Sequence, residues 1–403
     1  MSYGTEASTV RKQTNILVLT GSLGHGHIQT ANAIRDIVAQ RFGEDVNVHV
    51  VDYLEQMAPH LHGVGSYCFV QWLKHFPSMY GYMFEMTRKD RGVAQFVKNV
   101  RLTSLRPLSK LIRELTPDVI VSTFPAASAA VSKLKERGIT HCPAVTVITD
   151  HTDHSFWLHP YTDLYMVGSE AARTKLIRQG INPSYIEVTG IPVRPEFYEQ
   201  YDKQALRANY LLQPDKMTVL LMGGGCGLMD LSILEALEHE QWAKHLQFII
   251  VCGNNDKLRR QLQQWASSSP LHLRIEGYVK PVHEYMAMSD LIITKSGGVT
   301  TAEAIAQQLP LLVYKPLPGQ ERDNIRYLVR NGLACRAKGS DDLVRQLAYL
   351  AANPEKLQRM GDRALTERGR MQADSAEAIL RMAQQTAVRP QPTAKRWMRR
   401  NAI

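Results

Sequence analysis

The chain has 403 residues, of which 44% are hydrophobic and 21% charged, so it is globular in composition and long enough for two domains. Its net charge of +10 predicts an anionic partner, which would be a nucleic acid, a phosphorylated ligand or an anionic membrane surface. No apolar run approaches the length that spans a bilayer, so any membrane contact is expected to be peripheral. The five cysteines form no C-x-x-C pair and the histidines form no metal-ligand pattern, which predicts free thiols in a reducing cytoplasm and no structural metal.

The first half of the chain alternates short apolar strands with helices. A buried strand over 15–20 leads into a glycine loop and an amphipathic helix that ends near residue 41. Further strands are predicted over 47–52, 118–122, 144–149, 164–167 and 185–188. This order is typical of a doubly wound parallel sheet.

Residues 60–106 interrupt this alternation, because they contain no clear strand. Seven aromatic residues lie between positions 67 and 84, and basic residues follow as far as Arg106. Aromatic side chains beside basic ones suit a membrane interface or an apolar acceptor. Helices that pack on the domain's own sheet are the alternative interpretation.

The second half begins after a predicted linker over 190–195, where Pro192 and Pro195 disfavour a helix. A strand over 217–222 runs into a second glycine loop. Further strands are predicted over 247–252, 271–275, 291–294, 311–314 and 333–336. We therefore predict an α/β protein with two doubly wound halves that face each other across a cleft.

The stretch from 291 to 324 carries the most specific pattern. A strand runs into Gly297 and Gly298, and a helix is predicted to open at 299–301 with Glu303 in its first turn. A glycine turn lets the backbone approach a ligand, and the helix start offers free N–H groups, so this is a candidate diphosphate site. Glu303 suits ribose hydroxyls. A turn whose glycines only reverse the chain is the alternative.

The first glycine loop carries a different signal. Neither loop has the G-x-G-x-x-G spacing of a dinucleotide site, and no Walker lysine follows either of them. The first loop instead contains His25 and His27. A histidine at a helix N-terminus tends to stay neutral, and a neutral imidazole facing a cleft can act as a general base. We expect this role of His27, and we expect His25 to cap or hydrogen-bond the loop.

Several motifs together resemble a known family. They lie at residues 24–27, 122–125, 149–150, 156–159, 189–195, 222–225 and 291–321. Over about residues 15–385 the chain resembles the GT-B glycosyltransferases of family 28, which include bacterial diacylglycerol glucosyltransferases and plant monogalactosyldiacylglycerol synthases. The resemblance implies two Rossmann-like domains, an acceptor domain over 1–195 and a UDP-sugar domain over 196–375. It also implies that the segment 376–403 packs a helix back on the first domain and ends in a basic tail.

The resemblance also implies roles for individual residues, with His27 near the reacting acceptor hydroxyl. The implied donor contacts are the diphosphate loop (Gly297, Gly298, Val299, Thr300), the second glycine loop (Gly223, Gly224, Gly225), the ribose carboxylate Glu303, the uracil segment (Tyr278, Val279) and the sugar contacts Gln320, Glu321 and Asn324. The implied acceptor or membrane contacts are Trp72, Phe76 and Trp157. One departure is His25, because the bacterial enzymes usually carry another residue there.

The reaction implied by the resemblance is an inverting transfer of a sugar, with glucose preferred, from a UDP-sugar to diacylglycerol or a glycosyl-diacylglycerol. No metal or other cofactor is expected, since the glycine N–H groups, the helix start and Lys295 or Arg194 could carry the phosphate charge. Asp150 is a second candidate base, an orienter of His27 or a loop-capping carboxylate. The expected location is cytoplasmic, peripheral on the inner face of the cell membrane, with anionic lipid as a partner.

Four alternatives stay open at this point, and the first is another GT-B transferase that acts on a different lipid or small-molecule acceptor. A UDP-N-acetylglucosamine 2-epimerase would share the fold, but it would have no use for the aromatic and basic insertion. A binding protein could keep the nucleotide-sugar pocket without the transfer, although His27, Gln320 and Glu321 are all in place. A nucleic-acid binder follows from charge alone, and no base-stacking motif supports it, so nucleic acid is not an expected partner.

Overall fold

The computed structural model describes residues 13–57, 71–72, 75–89, 105–224, 242, 244–371 and 375–385. The expectations for the basic tail over 389–400, for Gly225 and for most of the insertion over 60–106 lie outside these residues. Within them the chain forms two parallel six-stranded sheets with helices packed on both faces, which confirms the predicted two-domain α/β fold.

The first sheet has the strand order β2-β1-β3-β4-β5-β6. Its strands are β1 (Thr14–Thr20), β2 (Val46–Asp52), β3 (Val119–Ser122), β4 (Ala144–Val147), β5 (Leu164–Val167) and β6 (Ile186–Val188). The helices of this half are α1 (His25–Phe42), α2 (Tyr53–Met57), α3 (Pro77–Thr87), α4 (Arg106–Leu115), α5 (Pro125–Glu136) and α6 (Glu170–Arg178). The described α3 belongs to the insertion.

The second sheet has the strand order β12-β11-β10-β7-β8-β9. Its strands are β7 (Met217–Met222), β8 (Leu246–Val251), β9 (His272–Glu276), β10 (Leu291–Thr294), β11 (Leu311–Tyr314) and β12 (Ala334–Ala337). The helices that follow the linker are α7 (Lys203–Asn209), α8 (Asp256–Ala266), α9 (Val282–Ala287), α10 (Gly298–Ala306), α11 (Gln320–Arg330), α12 (Ser340–Ala352), α13 (Pro354–Met371) and α14 (Ser375–Gln384).

The apolar runs of the sequence become the central strands because both faces of each sheet are covered. Every residue of β3, β8 and β10 is buried, and successive side chains point to separate cores on opposite faces. A run without polar alternation satisfies this environment, whereas it would expose apolar side chains on a sheet with one solvated face.

Each sheet has one point at which the strand order reverses, between β1 and β3 in the first and between β7 and β10 in the second. Helices leave such a point towards opposite faces, so a crevice opens at the carboxyl ends of the strands. The loop before His25 follows β1, the glycines Gly223 and Gly224 follow β7, and the segment from Lys295 to Gly298 follows β10. Strand order therefore places both predicted glycine loops at crevices.

The last described helix, α14, returns to the first sheet. Met360 of α13 is buried in the core of the second half, whereas Ile379 of α14 is buried against Ile16 and its neighbours in the first. Arg381 of α14 also pairs with Glu187 of β6. The chain thus links the two halves at a second place besides the linker. None of the helices in the described ranges is both long enough and apolar enough to cross a membrane.

Candidate active site

The carboxyl ends of the two sheets border a large shared cleft. Its volume is about 2570 Å³, which exceeds the roughly 300–1,000 Å³ of a common small-molecule pocket and leaves room for two substrates. The predicted site residues that line it are His27, Trp72, Asp150, Trp157, Gly223, Gly224, Tyr278, Val279, Gly297, Gly298, Val299, Thr300, Glu303, Gln320 and Glu321.

His27 lies in the first turn of α1, at the crevice of the first sheet. Gly24 turns the chain into this helix with a φ of 106°, in the left-handed region that favours glycine. The His27 ring lies edge-on to Phe124, with ring centroids 5.3 Å apart, and 5.9 Å from the ring of Trp157. Burial lowers the pKa of His27 to about 4, so its imidazole is neutral near pH 7.

Two threonines hold His27. The hydroxyl of Thr123 donates a hydrogen bond to the backbone carbonyl of His27 at 3.1 Å, and Nδ1 of the ring lies 3.3 Å from Oγ1 of Thr149. A neutral imidazole has one N–H and one nitrogen that carries a lone pair. That lone pair can accept a proton from a hydroxyl group in the cleft.

His25 lies two residues earlier and faces the second half. Its Nε2 is 3.4 Å from Nδ2 of Asn254, which follows β8. Burial lowers the pKa of His25 as well. Because His25 contacts the opposite half, while His27 lies among aromatic rings of its own half, the geometry favours His27 as the proton acceptor.

Asp150 follows β4 and binds the second half. Its Oδ1 accepts a hydrogen bond from Nδ2 of Asn324 at 2.7 Å, and a Cβ on Gly298 would lie 2.9 Å from the same oxygen. Burial raises the pKa of Asp150 to about 7, although the bond from Asn324 opposes this. Asp150 therefore lies against the start of α10 across the junction, whereas the group near Nδ1 of His27 is the hydroxyl of Thr149.

The start of α10 packs directly on the first half. A Cβ on Gly298 would lie 1.9 Å from the carbonyl oxygen of Thr149, so only glycine fits at this position. A Cβ on Gly26 would lie 3.4 Å from Cγ2 of Val299, so the two glycine-bearing helix starts face each other. The helix begins at Gly298, earlier than predicted, and Glu303 consequently lies in its second turn.

Glu303 is buried in the wall of the cleft. Burial raises its pKa to about 7, and the positive charge of Arg194 opposes this rise. Among the described residues, Nε of Arg194 is buried and has no hydrogen-bond partner. A ligand could satisfy both groups. Its hydroxyl could hydrogen-bond the carboxyl of Glu303, and its phosphate oxygen could accept from the N–H of Arg194.

A positive charge lies beside the second glycine loop. Gly224 has a φ of 74°, and a Cβ at this position would lie 3.5 Å from Cε of Lys295. Nζ of Lys295 lies 3.3 Å from Oε1 of Glu321, whose Oε2 accepts a hydrogen bond from the N–H of Leu317 at 2.8 Å. Glu321 thus holds Lys295 where a diphosphate could approach both the glycine backbone and the ammonium group.

Gln320 begins α11 and is held from the other half. Its Oε1 accepts a hydrogen bond from the hydroxyl of Tyr80 in α3 at 2.7 Å. The ring of Trp72 lies edge-on to Tyr80, with centroids 5.6 Å apart. A residue predicted to contact the donor sugar therefore depends on the insertion for its position.

Asn324 differs from its predicted place at the donor sugar, because it is fully buried at the junction of the halves. Its Nδ2 donates to Oδ1 of Asp150 and, at 2.9 Å, to the carbonyl of Ser296. Its Oδ1 accepts from the N–H of His151 at 2.8 Å. Both ends of the amide are in use, so Asn324 joins the two halves.

Asp323 makes a second buried link beside Asn324. Its Oδ2 accepts a hydrogen bond from the hydroxyl of Thr152 at 2.9 Å and lies 2.8 Å from the guanidinium of Arg88. Arg88 also pairs with Asp153 at 2.8 Å. Oδ1 of Asp323 accepts a hydrogen bond from Arg326 of the same helix, but the partners of the buried Oδ2 are present only when the halves are together.

The remaining predicted residues divide between the cleft and the outer surface. Tyr278 and Val279 follow β9 at the rim, and Tyr278 is 52% exposed. Trp157 is only 4% exposed and lines the cleft beside His27, so it lies inside the molecule. Phe76 is 58% exposed on the outer surface. Within the described ranges, no group of three or more His, Cys, Asp or Glu side chains is placed to hold a metal ion.

Sequence reasoning missed the residues that support this site. Thr149 lies in one of the family motifs but carried no assigned role, and Tyr80 was one of seven aromatic residues with nothing to distinguish it. Arg88 and Asp323 are common charged residues whose pairing spans more than 200 positions. No local pattern signals such pairs.

Two family models match most of the chain. The model for monogalactosyldiacylglycerol (MGDG) synthase matches residues 27–193, and the model for the glycosyltransferase family 28 C-terminal domain matches residues 218–378. A processive diacylglycerol beta-glucosyltransferase of Bacillus licheniformis is 30% identical over 346 residues, which are 86% of this chain and 89% of the relative. The protein of the same name from Staphylococcus aureus is 31% identical over 354 residues, 87% of this chain and 88% of the relative.

Solved structures share the fold. Acinetobacter baumannii MurG superposes with a TM-score of 0.59 at 15% identity, covering 93% of this chain and 100% of that one. The UDP-GlcNAc 2-epimerase of Neisseria meningitidis gives a TM-score of 0.56 at 17% identity, covering 91% of this chain and 100% of that one. The two facing sheets define a protein of the GT-B class. The chain belongs to the family 28 glycosyltransferases, together with the diacylglycerol beta-glucosyltransferases, and the resemblance read from its motifs is confirmed.

Proposed function

We propose that this protein transfers glucose from UDP-glucose to diacylglycerol, or to a glycosyl-diacylglycerol, at a membrane surface. The supporting observation is the neutral, half-buried His27, which shares a cleft with the charged groups around the start of α10. A base on one wall and an anion site on the other are what transfer from a nucleoside diphosphate to a hydroxyl group requires. The activity for which the relatives are named supplies the choice of glucose and diacylglycerol.

The second half, residues 196–375, would bind the donor. Glu303 would hold the ribose, and the backbone at Tyr278 and Val279 would receive the uracil ring. Gln320 and Glu321 would contact the sugar. The diphosphate would lie against the glycine loops and the helix start, namely Gly223, Gly224, Gly225, Gly297, Gly298, Val299 and Thr300. Lys295 and Arg194 lie close enough to these groups to offset the phosphate charge.

The chemistry would proceed by one inverting displacement. The acceptor oxygen forms a bond to the anomeric carbon from the face opposite UDP, and the bond from that carbon to the phosphate oxygen breaks. The hydroxyl proton passes to the free nitrogen of His27, and the leaving UDP keeps the electron pair. The closed cleft would exclude water, which otherwise hydrolyses the donor.

The first half, residues 1–195, would bind the acceptor and meet the membrane from the cytoplasmic side. Helix α3 and the residue before it support this assignment, because they expose several large apolar side chains: Met83 and Met86 at the cleft, and Phe76, Met79 and Tyr82, which do not line it. The net charge of +10 suits an anionic surface. The fraction of the protein that sediments with phosphatidylglycerol vesicles should fall as the salt concentration rises. Failure to bind these vesicles at low salt would contradict the membrane assignment.

The direct test is incubation with diacylglycerol vesicles and radiolabelled UDP-glucose, UDP-galactose or UDP-N-acetylglucosamine, followed by chromatography of the lipids. We expect labelled glycolipid from UDP-glucose in excess of the other donors, and none without diacylglycerol. Absence of labelled lipid with all three donors would refute the proposal. Conversion of UDP-N-acetylglucosamine into its 2-epimer would instead support the epimerase alternative.

A further inference from the structure

Helix α3 of the acceptor half packs on the donor half at the turn before α11. A Cβ on Gly81 would lie 2.5 Å from Cβ of Pro318, so a larger residue would force the two apart. A Cβ on Gly319 would lie 2.9 Å from the ring of Tyr80 and 3.3 Å from that of Phe84, and Gly319 has a φ of 97°. Glycines on both sides thus allow an approach that brings the Tyr80 hydroxyl to Gln320.

The hydrogen bond at this contact has a defined direction. The Tyr80 hydroxyl donates to Oε1 of Gln320 at 2.7 Å. Burial raises the pKa of Tyr80 to about 12, so the phenol keeps its proton at neutral pH. An amide whose oxygen accepts this bond must present its NH₂ group elsewhere, and Gln320 lines the cleft.

We infer that Tyr80 is a positioning residue that fixes the amide of Gln320, so that the acceptor half takes part in selecting the donor sugar. With Tyr80 in place, Gln320 offers hydrogen-bond donors to the sugar and discriminates by where the sugar's hydroxyl oxygens lie. Without the phenol, the amide can turn over and present its oxygen instead, which accepts from almost any hydroxyl. The inference rests on the proposed function for the place of the sugar beside Gln320.

The test compares Tyr80→Phe with Tyr82→Phe, which removes the same atom from a residue of the same helix that is 67% exposed. Binding of UDP and of UDP-glucose is measured by calorimetry. We expect Tyr80→Phe to weaken UDP-glucose binding roughly 3- to 10-fold and to leave UDP binding unchanged, as suits the loss of one hydrogen bond at the sugar. Tyr82→Phe should match the wild type for both ligands.

A second comparison separates positioning from packing. The double variant Gln320→Leu/Tyr80→Phe should have the same ratio of UDP-glucose affinity to UDP affinity as Gln320→Leu alone, because the amide that Tyr80 positions is already absent. Equal loss of UDP and UDP-glucose affinity in Tyr80→Phe, or an undiminished effect in the Gln320→Leu background, would overturn the inference. Because these binding ratios need no transfer, failure of the proposed reaction would show separately, as absent glycolipid with an intact UDP-glucose preference.

Discussion

The two walls of the cleft differ in their chemistry. The wall from the first half places His27 between the rings of Phe124 and Trp157, where burial keeps the imidazole neutral. The wall from the second half is built from charged groups at strand ends and a helix start, namely Lys295, Glu303 and Glu321, and the charge of Arg194 in the linker acts on Glu303. A poorly solvated proton acceptor and a site for a charged leaving group need opposite surroundings, so a fold that builds them on separate domains can supply both.

The junction between the walls is polar as well as close. Asn324 of the second half binds Asp150 and the backbone of His151 in the first half. Asp323 of the second half likewise binds Thr152 and Arg88 in the first. Buried polar groups are costly unless their partners are present, so this junction fixes one relative position of the halves. The contrast between the walls can therefore be tested with substitutions in the first wall, in the second wall and at the junction.

The largest expected effect is on turnover in His27→Ala. Removal of a general base lowers the rate roughly 10²- to 10⁴-fold, so transfer to diacylglycerol should fall by that order. UDP affinity should stay near the wild-type value, because the imidazole lies on the opposite wall. Steady-state transfer assays check the first statement. The His25→Ala variant is the matched control and should lose far less activity.

The opposite wall is tested by Glu303→Ala. A hydrogen bond to a charged group contributes roughly 1.5–3 kcal/mol, so UDP should bind roughly 10- to 150-fold more weakly. Calorimetry with UDP measures this directly. Glu303→Gln keeps the shape and a hydrogen-bond acceptor, so it should bind UDP better than the alanine variant. Unaltered affinity in Glu303→Ala would refute the ribose assignment.

The junction is tested by Asn324→Ala, which leaves the Asp150 carboxyl and the His151 N–H each short of a partner. We expect a loss of about 1–3 kcal/mol in the free energy of unfolding. Chemical denaturation measures it, with Asn331→Ala at the half-buried C-cap of the same helix as the control, because the side chain of Asn331 donates one hydrogen bond, to the carbonyl of Tyr327 within its own half. Equal stability of the two variants would mean that Asn324 is not a link between the halves.

The smallest expected effect is a pH trend at the same junction. The pKa of Asp150 is about 7 in the folded protein, above its ordinary value of 3.8, so the folded state holds this proton more tightly than the unfolded state does. The stability that the proton contributes is complete below pH 3.8 and is lost as pH rises through 7. Asp150→Asn does not titrate, and its side chain has nearly the same size and shape as the carboxyl group. The melting temperature of this variant minus that of the wild type should therefore increase from pH 5 to pH 8. A difference that stays constant with pH would contradict the raised pKa.

Much of the fold could be predicted from the sequence, because its strands are short apolar runs buried on both faces. The strands β5, β7, β10 and β11 have the predicted bounds, and the others agree within two residues at either end. The positions of the glycines directly after predicted strands were sufficient to place the two candidate loops at the carboxyl ends of the sheets, where the crevices lie. The period of the apolar residues carries this information locally.

The supporting contacts could not be predicted, because they join residues far apart in the chain. Tyr80 and Gln320 are 240 positions apart, and Asn324 reaches Asp150 over 174. Asn324 shares a helix with Gln320 and Glu321, so its place in the sequence predicts a contact with the donor sugar. The helical geometry of α11 instead directs its side chain to the junction between the halves. The low pKa of His27 likewise arises from burial among rings supplied by α5 and the segment around Trp157, more than from the helix start that the sequence displays.

The most direct test of the division between the walls is to measure the UDP dissociation constant and the transfer rate on the same preparations of His27→Ala and Glu303→Ala. We expect opposite patterns. His27→Ala should keep UDP affinity and lose turnover, whereas Glu303→Ala should lose UDP affinity and recover most of its turnover at saturating UDP-glucose. If His27→Ala loses as much UDP affinity as Glu303→Ala, or transfers sugar at the wild-type rate, the assignment of the proton acceptor to the first wall and of the donor to the second is contradicted.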